Sequence, residues 1–159
     1  ALERAVRPDG SAAASAWADP DRLFVIGRGL GLPAAMEAAL KFKETCGIQA
    51  EAFSGAEVQH GPMRLIGEGY PLLVFATRGP TQAGLLELAR TMRERGANVL
   101  LAAPAGVAQA DLPLLQAPVP ELDAVSAIQS FYPMVEALAR ARGNDPDNPP
   151  HLRKVTKTS

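Results

Sequence analysis

LFVIGRGLGLPAAMEAALKFKETCG occupies residues 23–47 and decides the fold. Its first five residues form a short, continuous apolar run that ends in glycine, which is typical of a β-strand buried on both faces. Pro33 suits the start of a helix, and a helix from there to about Gly47 places small and apolar side chains on one stripe. The positions on that stripe are Ala35, Ala38, Ala39, Phe42 and Cys46. The stretch therefore predicts a strand and then a helix that packs on the sheet.

The same alternation continues along the chain. A second apolar run at residues 72–77 precedes a helical pattern over residues 81–95, which Gly96 stops, and a third run covers residues 98–103. Strands that alternate with helices predict a parallel sheet with right-handed crossovers. We expect an α/β fold, a three-layer αβα sandwich with a mainly parallel, flavodoxin-like sheet.

The last third of the chain predicts a further strand, a long helix and a tail. Residues 114–119 are a candidate short strand, and Asp123 is a candidate cap for a helix over residues 124–142. Gly143 is expected to end that helix, and the proline-rich segment after it must run extended or in turns.

The domain organisation expected from these elements has three parts. Residues 1–20 form an N-terminal helical arm, residues 21–143 form the α/β domain, and residues 144–159 form an extended C-terminal tail.

Composition excludes several functional classes. The 159 residues are 47% hydrophobic and 21% charged, enough for one globular core. The net charge of −1 and the lack of a basic cluster argue against nucleic-acid binding. The apolar runs are too short to span a bilayer, so we expect no membrane partner and a cytoplasmic location. The lone Cys46 is expected to be a buried structural thiol.

Glu44 is the first candidate for chemistry. At 100° per residue it lies opposite the buried stripe, between Leu40 and Ile48. A helix with aliphatic residues on both faces is usually covered on both, so we expect another domain or subunit there. A partly desolvated carboxylate makes a good general base near neutral pH. A salt bridge with Lys41 or a solvated face is the structural alternative.

His60 is the second candidate, and it is followed by Gly61 and Pro62. A stiff turn suits an acid or base group, and it also suits a helix start. No other histidine, cysteine or carboxylate stands at metal-ligand spacing, so we expect no metal and no organic cofactor.

Residues 27–33 join the first strand to the first helix, at the sheet edge where open α/β sheets bind ligands. Gly27, Arg28 and Gly29 are therefore candidate substrate-binding residues. A dinucleotide fingerprint would need glycine in place of Leu32. A tight strand-to-helix turn is the alternative explanation.

Three segments together resemble the sugar isomerase (SIS) domain family: IGRG at residues 26–29, AALKFKE at 38–44 and AEAFSGAEVQHGP at 50–62. With the tail, the resemblance covers the chain from about residue 22 to its end. More narrowly, the chain looks like the second SIS domain in the isomerase part of glucosamine-6-phosphate synthase and in SIS-type glucosamine-6-phosphate deaminases.

The resemblance implies a role for three residues. Glu44 matches the base that moves a proton between C-1 and C-2 of the open-chain sugar. His60 matches a histidine that assists ring opening and enters the neighbouring subunit's active site, which implies a homodimer. Lys154 matches a tail lysine that folds over the sugar and binds it. The implied substrate is glucosamine 6-phosphate or fructose 6-phosphate.

One family feature is missing. Members of the family hold the sugar phosphate in an S-x-S-G-x-[ST] loop on the first SIS domain, and the serines of this chain never occur as S-x-S. Residues 77–81 are a weak substitute. Because the chain also begins at Ala1 instead of methionine, we expect the C-terminal half of a longer protein, inactive without its N-terminal SIS domain.

The tail favours one reaction over another. Residues 142–158 look more like the deaminases, so we expect a deaminase that converts glucosamine 6-phosphate to fructose 6-phosphate and ammonia. The isomerase domain of a glutamine–fructose-6-phosphate aminotransferase is the alternative, and a non-catalytic phosphosugar-binding module is a third possibility.

Overall fold

Five parallel strands form one sheet in the order β2-β1-β3-β4-β5. The structure is a computed structural model, and it describes Trp17 and residues 20–152. The strands are β1 (Arg22–Gly27), β2 (Gln49–Ser54), β3 (Pro71–Phe75), β4 (Asn98–Pro104) and β5 (Leu112–Leu114). The helices are α1 (Leu32–Cys46), α2 (Gln82–Glu94) and α3 (Asp123–Ala141). The predicted parallel α/β fold is confirmed.

Helices cover both faces of the sheet. Leu23 and Val25 of β1 belong to a core shared with α1 and α3, while Phe24 and Ile26 of the same strand belong to the core under α2. Alternate residues of a strand point to opposite faces, so a strand covered on both must be apolar throughout. This explains the continuous apolar run of β1 and gives the three-layer sandwich.

Helix α1 carries the predicted stripe. All five predicted stripe residues are buried. The helix ends where Gly47 adopts a left-handed φ of 65°, and Ile48 N–H bonds the Phe42 carbonyl at 3.1 Å, a glycine-dependent stop. Ile48 is also buried, so its predicted place beside Glu44 on the outer face is wrong. The reason is that the helix ends two residues before it.

The sequence pattern failed at both edges of the sheet. Residues 49–54 form the edge strand β2, which the apolar pattern did not predict because only Ala50 is buried in it. At the other edge, β5 covers residues 112–114 and not 114–119. Edge strands bury fewer side chains, so their hydrophobic signal is weak.

Of the two predictions for the ends of α3, one is confirmed and one is wrong. Gly143 follows the helix with φ 77°, as predicted. The expected Asp123 cap is wrong, because no side chain caps this helix and the Asp123 carboxylate instead binds Arg78 and the Ala117 N–H.

The predicted arm over residues 1–20 lies outside the described residues, apart from Trp17 and Pro20. Trp17 is buried, with its ring centroid 6.1 Å from that of Phe42. Within the described part of the chain, no helix is long and apolar enough to cross a membrane.

Candidate active site

The two predicted acid/base residues lie at opposite ends of the parallel strands, Glu44 at their amino ends and His60 at their carboxyl ends. Helix α1 returns from the carboxyl ends of the strands to their amino ends, and Glu44 occupies its last turn. His60 follows β2 and therefore lies at the carboxyl edge. A helix of 15 residues spans about 22 Å, so one chain does not bring this pair together.

Glu44 lines an open cavity of about 490 Å³. One wall is the end of α1, including Leu40 and Lys43, and the other wall is the C-terminal tail. The tail contributes Asn144, Pro150, His151 and Leu152. The structure thus places the tail of the same chain over the predicted catalytic carboxylate.

Lys41 holds one oxygen of Glu44. The Lys41 Nζ lies 2.6 Å from Glu44 Oε2 and 3.6 Å from Glu37 Oε1. Side-chain exposure is 28% for Lys41 and 31% for Glu44. The hydrogen bond to Glu44 is the main cause that raises the pKa of Lys41. The salt bridge considered as an alternative for Glu44 is therefore present, and the second carboxylate oxygen has no hydrogen bond among the described residues.

Hydrogen bonds fix the start of the tail to the end of α1. Asn144 Nδ2 and Arg142 Nε each donate to the Cys46 carbonyl at 3.1 Å. This carbonyl is one of the helix-terminal acceptors that α1 cannot satisfy internally. The anchor therefore lies two residues from Glu44 in sequence.

A turn around Asp145 redirects the tail. Its carboxylate accepts from the Asp147 N–H at 3.0 Å and from Asn148 Nδ2 at 2.9 Å, and these bonds, that from Asn148 foremost, lower the pKa of Asp145. Two prolines follow at 149 and 150, and they restrict the backbone that reaches the cavity. Lys154 lies outside the described residues, so its contact with the sugar stays a prediction.

The predicted substrate loop lies at the carboxyl edge, away from Glu44. A Cβ atom on Gly27 would lie 2.4 Å from the Gly31 carbonyl oxygen, and one on Gly31 would lie 3.1 Å from Thr77 Oγ1. Thr81 Oγ1 also donates to the Arg28 carbonyl at 3.4 Å. These contacts support the tight-turn explanation for the glycines. The Arg28 side chain is exposed at the β1/β3 switch point, where such sheets bind ligands.

Arg78, in the loop after β3, is committed to a structural ion pair. Its Nε and Nη2 each lie 2.7 Å from an oxygen of Asp123, and Nη2 also donates to the Ala117 carbonyl. Burial would raise the pKa of Asp123, but the bonds from Arg78 and the Ala117 N–H outweigh it and lower that pKa. The sequence pattern does not indicate this ion pair, because Arg78 and Asp123 lie 45 residues apart.

His60 ends a short 3₁₀ turn, Glu57–His60, and is exposed. The turn is fixed by reciprocal bonds: the Glu57 N–H donates to Ser54 Oγ at 3.1 Å, and the Ser54 N–H donates to Glu57 Oε2 at 3.0 Å. Gly61 follows with φ 150°, a conformation that favours glycine. The stiff turn predicted from the sequence is present.

The outer face of α1 exposes large apolar side chains. Met36 is 60% exposed and Leu40 is 42% exposed, and Val125 on α3 is 51% exposed.

Among the described residues, no group of three or more histidine, cysteine or acidic side chains is placed to hold a metal ion.

Known proteins resemble this chain over most of its length. The glutamine–fructose-6-phosphate aminotransferase [isomerizing] of Aeropyrum pernix is 39% identical over 151 residues, which cover 90% of this chain and 24% of that protein. The Sulfurisphaera tokodaii protein of the same name is 35% identical over 145 residues and is covered to 23%. The chain thus spans about a quarter of the length of these curated relatives.

Solved structures share the fold. A proposed phosphosugar isomerase from Silicibacter pomeroyi superposes with a TM-score of 0.79 at 42% identity. The superposition covers 91% of this chain and 44% of that one. The C-terminal domain of glucosamine–fructose-6-phosphate aminotransferase from Francisella tularensis gives a TM-score of 0.76 at 25% identity. That superposition covers 86% of this chain and 40% of the other.

The sequence model of the SIS domain matches residues 17–112, a span from Trp17 to the start of β5. This span includes β1, α1 with Glu44, and the His60 turn. The chain belongs to the SIS domain family.

Proposed function

We propose that this SIS domain supplies Glu44 as the base of an aldose–ketose isomerisation of a hexose or hexosamine 6-phosphate. The observation that carries the proposal is the cavity in which Glu44 faces the C-terminal tail of its own chain. A carboxylate with one oxygen held by Lys41 and the other without a partner among the described residues is oriented and still able to accept a proton.

The proposed chemistry requires one carboxylate. Glu44 takes the proton from C-2 of the open-chain aldose, the C–H electron pair forms the C-1/C-2 double bond, and the π electrons of the C-1 carbonyl move to O-1. The protonated Glu44 then returns its proton to C-1, while the proton of the hydroxyl or amino group on C-2 passes to O-1 and leaves a C-2 double bond to that oxygen or nitrogen. The same group serves as base and then as acid, so no net proton is consumed. A partly exposed cavity at a helix end is accessible to such a substrate.

The site is proposed to be completed by other domains. Within one chain, His60 lies at the carboxyl ends of the strands and Glu44 at their amino ends. We therefore propose that His60 serves the active site of a second subunit in a homodimer. The chain has no S-x-S phosphate loop, and Arg78 in the corresponding loop pairs with Asp123. We therefore assign phosphate binding to an N-terminal SIS domain and sugar contact to Lys154. Gly27, Arg28 and Gly29 are proposed to bind substrate at the sheet edge that carries His60.

The names of the relatives favour the aminotransferase version of the reaction over the deaminase that the tail predicts. Two aminotransferases share 39% and 35% identity with the chain over most of its length. In this version, ammonia from glutamine combines with fructose 6-phosphate, and isomerisation gives glucosamine 6-phosphate.

The deaminase is kept as a second candidate because the sequence of the tail, residues 142–158, looks more like that of the deaminases.

The experiment measures both reactions with the natural protein that contains this chain. If the protein forms glucosamine 6-phosphate from fructose 6-phosphate only when glutamine is present, it is the aminotransferase. If it releases ammonia from glucosamine 6-phosphate and forms none from fructose 6-phosphate and glutamine, it is the deaminase. Binding of either sugar phosphate with no turnover would overturn the enzymatic proposal and leave a phosphosugar sensor.

The variant that tests the base is Glu44→Gln, which keeps size and removes the carboxylate. We expect a loss of activity of at least about 100-fold, because general acid–base catalysis contributes about 10²- to 10⁴-fold. Glu87→Gln is the matched control, since Glu87 also pairs with a cation three residues away, Arg90, on the α2 side of the sheet. Activity of Glu44→Gln equal to that of the control would remove Glu44 from the mechanism.

A further inference from the structure

A second histidine lines the Glu44 cavity. His151 contributes to its walls together with Glu44, whereas His60 is at the carboxyl ends of the strands. The sequence contains only these two histidines. His151 is therefore the histidine that one chain places in the cavity of its own Glu44.

The backbone of His151 is unusual. Its φ is 65°, and it is the one residue other than glycine with positive φ among the described residues. A left-handed conformation is uncommon for a residue with a Cβ and costs energy. Glycine would fit this position without strain. Residue 151 is thus a histidine at a position where the backbone conformation would favour glycine.

The segment that presents His151 is held in place. Its start is bonded to the end of α1 through Asn144 and Cys46, and Asp145 organises the turn that follows. Pro149 and Pro150 immediately precede His151, and the Leu152 N–H bonds the Pro149 carbonyl at 3.4 Å. Proline restricts the backbone, so little conformational entropy is lost when this segment covers a ligand.

We propose that His151 is a substrate-contacting residue of the Glu44 cavity, and that its imidazole donates a hydrogen bond to the oxygen at the reacting end of the sugar. This inference rests on the proposed function of Glu44. When Glu44 removes the C-2 proton, negative charge develops on the carbonyl oxygen at C-1. A donor fixed on the facing wall of the cavity stabilises that charge.

Two substitutions separate this role from a structural one. His151→Gly removes the imidazole and relieves the left-handed backbone, while His151→Asn keeps a hydrogen-bond donor on a residue that tolerates this conformation. Asp147→Gly is the control, because it introduces the same flexibility into the same tail at an exposed residue that does not line the cavity and whose N–H can still bond Asp145.

The test measures kcat/KM with glucosamine 6-phosphate or fructose 6-phosphate, and Tm, in the natural protein that contains this chain. We expect His151→Gly to lower kcat/KM by about 10- to 100-fold, the range for a hydrogen bond to a charged group. Its Tm should equal or exceed that of the unsubstituted protein. His151→Asn should recover part of the activity, and the sugar-induced rise in Tm should be smaller in His151→Gly than in Asp147→Gly.

Three results would overturn the role of His151: activity of His151→Gly within about twofold of the unsubstituted protein, a loss no larger than that of Asp147→Gly, or no recovery in His151→Asn. Failure of the underlying function is distinguished by Glu44→Gln. If that variant is inactive while His151→Gly is fully active, only the His151 inference fails. If Glu44→Gln is fully active, the proposed function itself fails.

Discussion

Asn144 Nδ2 donates a hydrogen bond of 3.1 Å to the carbonyl oxygen of Cys46, and this bond joins the C-terminal tail to the end of the helix that carries Glu44. The two residues are 98 positions apart in sequence. Their contact helps to place residues 144–152 of the tail, which have no helix or strand, as one wall of the candidate active site.

Asn144→Ala should weaken that wall. One hydrogen bond to a helix-terminal carbonyl is lost, while Arg142 still bonds the same oxygen, so we expect a loss of about 1 kcal/mol in the free energy of unfolding. Activity should fall more than this small loss of stability explains, because the tail no longer lies in place over Glu44.

Urea unfolding and steady-state kinetics check the Asn144 prediction. Gln109→Ala is the control, an exposed loop position at which a change within about 0.5 kcal/mol is expected. Unchanged kinetics in Asn144→Ala would show that the anchor does not position the tail.

Asp123→Asn should destabilise the fold in a pH-dependent way. The pKa of Asp123 is lowered in the folded chain, so its carboxylate stabilises the fold at pH values above its unfolded pKa of about 3.9. That contribution is lost as the pH falls through the lower, folded pKa. The substitution should therefore lower Tm at pH 7, and the difference from the unsubstituted chain should shrink in acid.

Thermal unfolding at pH 7 and at successively lower pH measures this difference. Asp147→Asn serves as the comparison, because Asp147 is exposed and 3.7 Å from Arg140. A difference for Asp123→Asn that stays constant with pH would mean that charge is not the source of its effect.

Gly27→Ala should be the most harmful of three glycine substitutions. Its Cβ would lie 2.4 Å from the backbone oxygen of Gly31, so the end of β1 must move away from the start of α1. We expect a loss of at least about 2 kcal/mol, within the range for overpacking a buried site. Gly47→Ala, with φ 65° and open space, should cost about 1–2 kcal/mol through backbone strain alone.

Gly67→Ala completes the comparison, since nothing lies within 4 Å of its Cβ position. It should be neutral or slightly stabilising, because alanine restricts the unfolded chain. Chemical denaturation of the three variants ranks them. Equal stability of Gly27→Ala and Gly67→Ala would contradict the close packing of Gly27 against Gly31.

The isolated 159-residue chain should not release ammonia from glucosamine 6-phosphate. It lacks the S-x-S loop, and its Arg78 is paired with Asp123. A coupled ammonia assay on the purified chain, with the natural protein that contains it as the positive control, measures this. Robust turnover by the isolated chain would show that the phosphate site needs no second domain.

The sequence predicted those parts of the molecule that depend on local periodicity. The apolar run of β1, the buried stripe of α1 and the glycines that stop both α1 and α3 are set by neighbouring residues, and each is present in the structure. The same local patterns led to Glu44 and to the stiff turn of His60. The edge strand β2 was missed because a strand with one buried residue has almost no hydrophobic signal.

By itself, then, the sequence determined the α/β class, the central strand–helix pairs and the residues that are candidates for chemistry. Only the tertiary structure decided that Glu44 and His60 lie at opposite edges of the sheet, that Asp123 pairs with Arg78 instead of capping α3, and that His151 joins Glu44 in one cavity. The physical reason is that helix and strand patterns repeat over a few residues, whereas these relationships depend on the direction in which α1 crosses the sheet and on hydrogen bonds between residues far apart in the chain.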